Sequence, residues 1–484
     1  MKNVLSVAEI REAEAKSLAS VGENQLRMMA ALAVADGIYD RAKNKHVKTA
    51  VFCGVGGNGH DGLLAAVMLY KKSVNVALYL VGEIEKFDKS ALALCDGVGL
   101  KVAPASEYGG DADILIDAIF GIGLNRAVSG EVAELIDRLN AEDGFKLAVD
   151  IPSGLNADSG EIMGTAFRAD ITMSFSCYKT GMLFGQGRDV CGRIVVENIG
   201  INTESDVRVY ENSDFKPYKR KKSAHKGSVG RIYVIGGCGE MVGAPMLAGA
   251  AAHAAHLNGA GTVTVCLPTV HRAAMSARAT MSMMKFLPDT PDGFIKFDKT
   301  ALDEICSKAT AIDIGMGMGK TPELKAMLEY LCDNFDGTLV IDADALNAVA
   351  KDYAFLREAK CSIVITPHVG EFERLTGRPA DIENAKALAR DINCIVALKS
   401  ATTIITDGNE VRLNVAGTPA LAKGGMGDVL GGCITALACS FNAFDAATIA
   451  CYRNGVGAER AVSSYSEMML TPKELLKFAD YDEM

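Results

Sequence analysis

Thr49-Ala-Val-Phe-Cys53-Gly54-Val55-Gly56-Gly57-Asn58-Gly59-His60-Asp61-Gly62 decides the fold class. The first five residues read as a buried strand, five glycines follow within nine positions, and a helical pattern starts near Leu63. Glycine permits a tight turn and close backbone approach, and free N–H groups at a helix start attract anions. The stretch therefore reads as the βα turn of a doubly wound sheet. Such a turn also serves plain packing of helix on strand, and the glycines alone do not choose between the two roles.

Outward from this turn, short β-branched runs alternate with helix-periodic segments, the pattern of βα units on a mainly parallel sheet. Strands are predicted over 49–54, 74–81, 114–120 and 147–151, and the pattern weakens after 194–197. Ser6 followed by Glu9 predicts a capping box ahead of the first helix. The polar stretch from Glu211 to Lys226, with its basic run Lys219-Arg220-Lys221-Lys222, interrupts the periodicity. It sets the expected domains at 1–215 and 227–484 with a linker over 216–226. The basic run reads as a solvated linker, or else as a phosphate-binding surface. A second α/β series starts over 231–236, and neither half repeats the other.

The chain has 484 residues, 49% hydrophobic and 23% charged, with 49 glycines, 12 prolines and no tryptophan, which excludes collagen, coiled-coil and low-complexity classes. With 50 Lys and Arg against 60 Asp and Glu the net charge is -10, so no nucleic-acid partner is expected. Thirteen cysteines in apolar settings, without a CxxC pair, imply buried thiols in a reducing cytoplasm. No signal-peptide core and no uninterrupted apolar run of about 20 residues occur, so no membrane role is expected. His253 and His256 lack an HExxH setting and read as helix packing rather than a metal pair.

Candidate chemistry sits at strand ends, where open α/β sheets bind ligands. Asp117 lies in Ile116-Asp117-Ala118-Ile119-Phe120-Gly121-Ile122-Gly123-Leu124, and Asp150 in Val149-Asp150-Ile151-Pro152-Ser153-Gly154. Taken singly, each aspartate is also what a helix cap or turn requires. In the second half, the proline of Gly243-Ala244-Pro245 suits a helix's first turn. Thr366-Pro367-His368-Val369-Gly370-Glu371 sets a histidine and a glutamate after an apolar run, and a hairpin is marked by Asp407-Gly408. Gly424-Gly425-Met426-Gly427-Asp428 opens an apolar helical stretch, so backbone amides face an anion and Asp428 can act on a hydroxyl beside it. Helix capping by Asp428 is the plainer alternative.

The glycine turn, the Asp117 segment and the Asp150 segment resemble, in order, the patterns GxGNNGGDG, DAxFGTG and DIPSGLNADTG of the NAD(P)H-hydrate epimerase family. Thr366–Glu371, Asp342–Asn347 and Gly424–Leu430 are similar to the TPHxGE, DADALN and GGxGDVL patterns of the ADP-dependent NAD(P)H-hydrate dehydratases, which belong to the ribokinase-like superfamily. Together they resemble a bifunctional repair enzyme, and the fold implied is α/β: a Rossmann-like three-layer domain followed by a ribokinase-like domain. The activity implied is epimerisation of R and S hydrates, NADHX and NADPHX, followed by dehydration of the S epimer through a phosphorylated intermediate. For the epimerase, the resemblance implies Asp150 as catalytic residue and a K+ site at Asn58, Asp117 and Ser153. It further implies hydrate contacts at Gly57, Asn58, Gly59, His60, Asp61, Gly121, Ile122, Gly123, Leu124, Asn125, Arg126, Ala127 and Asp150. For the dehydratase, it implies Asp428 as base, hydrate contacts at Ala244, Gly317, His368 and Asp428, and nucleotide contacts at Lys399, Ser400, Ala401, Thr402, Thr403 and Gly427. ADP is the implied phosphoryl donor, Mg2+ is expected with it, and a homo-oligomer is expected.

Some residues depart from the family patterns. Gly57 replaces an asparagine and His60 a glycine; a positive φ at His60 would carry a strain of about 1 kcal/mol. Lys179 falls where the family tends to carry lysine, in a site role or a surface salt bridge. Met316 replaces a proline, and Thr418, Ala420 and Leu421 alter a stretch upstream of the second glycine turn. The rival reading is a ribokinase-like kinase of a small molecule such as a vitamin alcohol, with a non-catalytic Rossmann-like binding domain.

Overall fold

The computed structural model describes residues 1–216, 221–254, 260–277, 282–350 and 352–478. It forms two compact units, Lys2–Ser205 and Asp206–Met484, the latter also taking in Met1. The division falls ahead of the expected 216–226 linker because Val207–Val209 pairs in parallel with Val411–Asn414 of the second unit. Lys219, Arg220 and His256 lie outside the described residues, as does the side chain of His253.

Within Lys2–Ser205, seven strands form a parallel sheet in the order Val102–Pro104, Val76–Leu80, Thr49–Cys53, Ile114–Ala118, Phe145–Val149, Ile171–Phe175 and Arg193–Glu197. Both faces are covered, as a parallel sheet requires. Val51 and Cys53 pack into one core with residues of the helices Glu23–Ala42 and Gly57–Lys71, while Ala50 and Phe52 pack into another with Glu131–Ala141. The alternation along one strand thus builds three layers. The predicted capping box is present, with Ser6 N–H donating to Glu9 Oε2 at 2.7 Å and the Ser6 side chain accepting from Glu9 N–H.

The helix expected from Leu63 starts at Gly57, so the glycine stretch is its first turns rather than a loop before it. Close packing explains the difference. A Cβ on Gly59 would stand 1.7 Å from the Gly54 carbonyl oxygen, and one on Gly62 would stand 2.4 Å from Ala118 Cβ. His60 is therefore helical and absent from the residues with positive φ, which removes the expected strain.

Within Asp206–Met484, the order is Met283–Leu287, Thr262–Pro268, Arg231–Ile235, Ala311–Ile314, Thr338–Ile341, Ser362–Ile365 and Ile395–Leu398, all parallel. The antiparallel strands Thr403–Thr406 and Val411–Asn414 follow, then Val207–Val209. The helices Gly243–Ala254 and Met426–Leu437 pack so closely that a Cβ on Gly432 would lie 2.2 Å from Ala248 O. Met316, in place of the pattern's proline, is fully buried, and its carbonyl accepts Gly237 N–H at 2.9 Å. Thr418 caps a single turn over Pro419–Leu421. The expected α/β class is the one found, with a mainly parallel sheet in each unit.

Gly59→Ala should destabilise the first unit by roughly 2 kcal/mol or more, since only backbone can yield. Gly97→Ala, in the same unit and with nothing within 4 Å of the new Cβ, should gain about 0.5–1 kcal/mol. Thermal melting of both variants checks the pair, and equal effects would overturn the packing account.

Candidate functional sites

Cys53, Ala118, Val149 and Phe175 end four adjacent strands of the first sheet, and a cavity of about 800 Å³ opens at that edge. Of the sequence-predicted residues, Gly57, Asn58, Asp61, Gly121, Ile122, Gly123, Leu124, Asn125, Arg126 and Asp150 line it. Gly59, His60 and Ala127 are not in its lining. Gly59 is spent on the Gly54 backbone. His60 instead faces a neighbouring cavity of about 290 Å³ shared with Arg27, Lys86 and Asp88. Burial and the Arg27 charge hold the His60 imidazole below its usual value.

Asp150 follows its strand in the left-handed region, with φ 63°, and Ile151 N–H closes a γ-turn on Val149 O at 2.8 Å. The next strand ends the same way: Ser176 has φ 59° and Cys177 N–H bonds Phe175 O at 2.7 Å. Two such turns side by side are strained and bend both strand ends at the cavity. Asp150 Oδ1 accepts Phe175 N–H at 3.1 Å and pairs with Lys179 Nζ. Lys179 is no surface residue: it is 1% exposed and also donates to Ser174 Oγ at 2.9 Å.

Asn58, Asp117 and Ser153 come together around Phe120. Asn58 Nδ2 donates to Phe120 O at 2.9 Å, Phe120 N–H donates to Ser153 Oγ at 2.8 Å, and Ser153 Oγ donates to Asp117 Oδ1 at 2.6 Å. Asp117 is wholly buried, which pushes its carboxyl up to about 6 against the pull of the hydrogen bonds from Ser153 and Ile119. Asn58 Oδ1 is buried without a hydrogen-bond partner. A buried carboxylate beside an orphaned amide oxygen is a donor set suited to a hard monovalent cation.

In the second unit, helix Met426–Leu437 starts after Gly425, whose φ is 89°, and carries Asp428 in its first turn. No side chain caps it; Met426 N–H is taken by Lys423 O at 3.3 Å, so the N–H groups of Gly427 and Asp428 are the ones left at the helix end. Lys399 Nζ donates to Asp342 Oδ1 at 2.8 Å, and a Cβ on Gly427 would lie 3.3 Å from that Nζ. Glycine thus lets a cation stand at the helix end. Burial, then the Asp342 charge, pushes Asp428 up to about 6, with Lys399 opposing. His368 is joined to Lys399 by a parallel bridge, Lys399 N–H bonding Pro367 O at 2.8 Å. Its Nδ1 accepts Glu371 N–H at 3.3 Å, so the ring caps helix Val369–Thr376. Ala244 and Gly317 adjoin, since a Cβ on Gly317 would be 3.7 Å from Ala244 Cβ. Ser400, Ala401 and Thr402 form the loop from Lys399 to Thr403, with Ser400 Oγ donating to Thr402 O at 2.5 Å.

Sequence reasoning missed Arg11, Glu14 and Arg27, which line the first cavity from the helices Val7–Val21 and Glu23–Ala42. It also gave Asp342 no role and passed over Asp313. Asp313 is fully buried, with neither oxygen hydrogen-bonded, and a Cβ on Gly431 would lie 3.0 Å from its Oδ2. An aspartate inside Ala311-Ile-Asp313-Ile314 was the available signal. Among the described residues no helix is long and apolar enough to cross a membrane.

A family model described as NAD(P)H-hydrate dehydratase matches residues 232–479, and one described as YjeF-related protein N-terminus matches residues 23–181. The bifunctional NAD(P)H-hydrate repair enzyme of Hyperthermus butylicus is 34% identical over 478 residues, covering 93% of this chain and 87% of its own. That of Coxiella burnetii is 31% identical over 490 residues, with 96% of each chain covered. Among solved structures, an ADP/ATP-dependent NAD(P)H-hydrate dehydratase from Bacillus subtilis, co-crystallised with ATP and Mg2+, is 27% identical with a TM-score of 0.46. It covers 54% of this chain, and 91% of its own length is matched.

The raised Asp428 carboxyl carries a stability cost with a definite sign. The folded state keeps its proton up to about 6 while an unfolded aspartate releases it near pH ~3.9, so stability falls as pH rises through that window. Asp428→Asn should therefore raise the melting temperature by about 2–4 °C at pH 8, with the gain fading toward pH 4. A gain that does not vary with pH would overturn the assignment.

Proposed function

The chain belongs to the family of bifunctional NAD(P)H-hydrate repair enzymes, and we propose that its first unit epimerises hydrated NADH and NADPH at C6 while its second dehydrates the S epimer. The observation that carries the reading is Asp428 in the first turn of an uncapped helix, beside the Lys399–Asp342 pair. Hydroxide is a poor leaving group, so dehydration needs the C6 oxygen activated. Asp428 takes the proton of that hydroxyl as the oxygen attacks the terminal phosphoryl group of ADP. The helix N–H groups and Lys399 offset the charge that develops on the phosphoryl oxygens. The ring nitrogen then expels phosphate, and loss of a C5 proton restores the dihydronicotinamide.

Ala244, Gly317 and His368 are the hydrate contacts in this reading, and Lys399–Thr403 with Gly427 hold the nucleotide. Among the described residues no group of three or more His, Cys, Asp or Glu side chains could hold a metal ion. Mg2+ would enter with the nucleotide's phosphates, where it would offset their charge.

In the first unit, Asp150 takes the C6 hydroxyl proton. Lys179, buried behind it, holds the carboxylate in place, and the strained γ-turn fixes its direction. Asn58, Asp117 and Ser153 would hold K+, which supplies a fixed positive charge at the edge where the hydrate's polar groups lie. Gly57, Asp61 and the Gly121–Arg126 loop are the hydrate contacts supported by the cavity lining; Gly59, His60 and Ala127 act through backbone or neighbouring surface. The reading includes a homo-oligomer in a reducing cytoplasm; light scattering tests the former.

Absorbance recovery from mixed R and S hydrates with ADP checks the division of labour. Asp428→Asn should lower dehydration about 10²–10⁴-fold and leave epimerisation unchanged. Asp150→Asn should leave S-epimer conversion intact and slow R-epimer use to a similar extent. Normal turnover in either variant sinks that residue's role. For the cation, KCl in place of choline chloride should raise the melting temperature, and Asn58→Ala should remove the rise; no rise in the parent protein rejects the site.

A further inference from the structure

We propose that Asp61 is the general acid of the epimerase cavity, delivering a proton to the ring nitrogen N1 opposite Asp150 as base. The inference rests on the epimerase reading above and adds to it a second group that handles a proton.

Asp61 lies on the first turns of helix Gly57–Lys71 and lines the same cavity as Asp150. Its side chain is 17% exposed, and Oδ1 is buried without a hydrogen-bond partner. Arg27 is the nearest cation, yet its Nη1 stands 3.7 Å away. The Arg27 fork is committed elsewhere, with Nη2 and Nε donating to Glu23 Oε1 at 2.7 and 3.1 Å. Oδ1 of a carboxylate so placed has no donor to replace its lost water, which favours the neutral acid.

The charged and titratable groups around it are Arg27 and Glu23 on one helix, Arg11 and Glu14 on another, and Asp150 with Lys179 at the strand ends. The Cys53 thiol lies behind it, and His60 precedes it in sequence. Burial dominates, Asp150 and Glu14 add to it, and Arg27 opposes; the carboxyl is pushed up to about 8. Glu14 is raised too, by burial and by Asp150. Asp150 differs in having its own buried ammonium, Lys179. One cavity therefore holds a lysine-paired carboxyl and a second carboxyl kept protonated by burial, the pairing that acid–base catalysis uses.

The chemistry balances with these two groups. Asp150 removes the C6 hydroxyl proton as C6–O becomes a carbonyl and the C6–N1 bond breaks. The released electron pair goes to N1, where Asp61 delivers its proton. Rotation about C5–C6 presents the other face of the aldehyde. N1 attacks C6, its proton returns to Asp61, and Asp150 returns the first proton to the new hydroxyl. Both carboxyls end as they began, and no oxidant or co-reactant enters.

The test is the pH dependence of R-to-S epimerisation, followed by chromatography of the two hydrates without nucleotide. In the parent protein the rate should fall above a pH of about 8 as Asp61 loses its proton. Asp61→Asn should lower kcat at least about 100-fold with KM changed little, and the residual rate should lack that alkaline fall. Asp61→Glu should recover part of kcat together with the fall. An alkaline fall that persists in Asp61→Asn, or a kcat near that of the parent, overturns the proposal. So does a parent rate that stays flat to pH 9.5, an outcome independent of whether the variants fold. Absence of any epimerisation in the parent would instead reject the underlying reading, which separates the two failures.

Discussion

Both sites depend on the approach of a glycine-bearing helix to the carboxyl ends of parallel strands. In the first unit Gly59 rests on the Gly54 carbonyl and Gly62 on Ala118; in the second, Gly432 rests on Ala248, with Gly431 beside the Asp313 carboxyl and Gly427 beside Lys399. Side chains at those positions would lift the helix away and admit water. With the helices seated, Asp61, Asp117, Asp313 and Asp428 lose solvent, and each carboxyl is raised mainly by burial. The glycines thus do two things with one geometry: they bring backbone N–H groups to the ligand edge, and they lower the dielectric around the acids.

That arrangement stores unfavourable free energy. Buried carboxyls without donors and paired γ-turns at Asp150 and Ser176 each oppose folding. The compensation lies in the sheets, whose strands bury both faces, and in the Lys179–Asp150 and Lys399–Asp342 pairs. Removing one partner of such a pair costs more than the pair contributes, because the other is left charged and buried. The lysines are therefore structural partners of these aspartates.

The fold was legible in the sequence because its signals are local: β-branched runs, turns and one capping box. The helix start was misplaced at Leu63 because composition does not distinguish glycine in a loop from glycine packed inside a helix; only the Gly54 carbonyl, brought near by the turn, decides. The aspartates at strand ends were legible for the same local reason. Their protonation states were not, because these depend on groups distant in sequence. Arg27 lies 34 positions from Asp61 and is held by Glu23. Lys179 lies 29 from Asp150, and its burial, which sequence could not give, turns a surface residue into a site residue. His60 shows the converse: a chemically suggestive side chain that the helix turns toward a neighbouring cavity.

The two sites differ as their reactions require. Epimerisation connects two diastereomers of similar free energy, so it needs proton transfers and no external driving force. In the proposed reading its cavity accordingly offers two carboxyls, Asp150 and Asp61, in different surroundings. Dehydration expels a group that leaves poorly, so it must be coupled to phosphoryl transfer and to the stabilisation of a concentrated negative charge. In the proposed reading an uncapped helix end with Lys399 beside it meets that demand. Consumption of one epimer by the second reaction then draws the first forward by mass action. Such coupling asks only that both sites see the same pool of hydrate, so each unit can hold a site of its own.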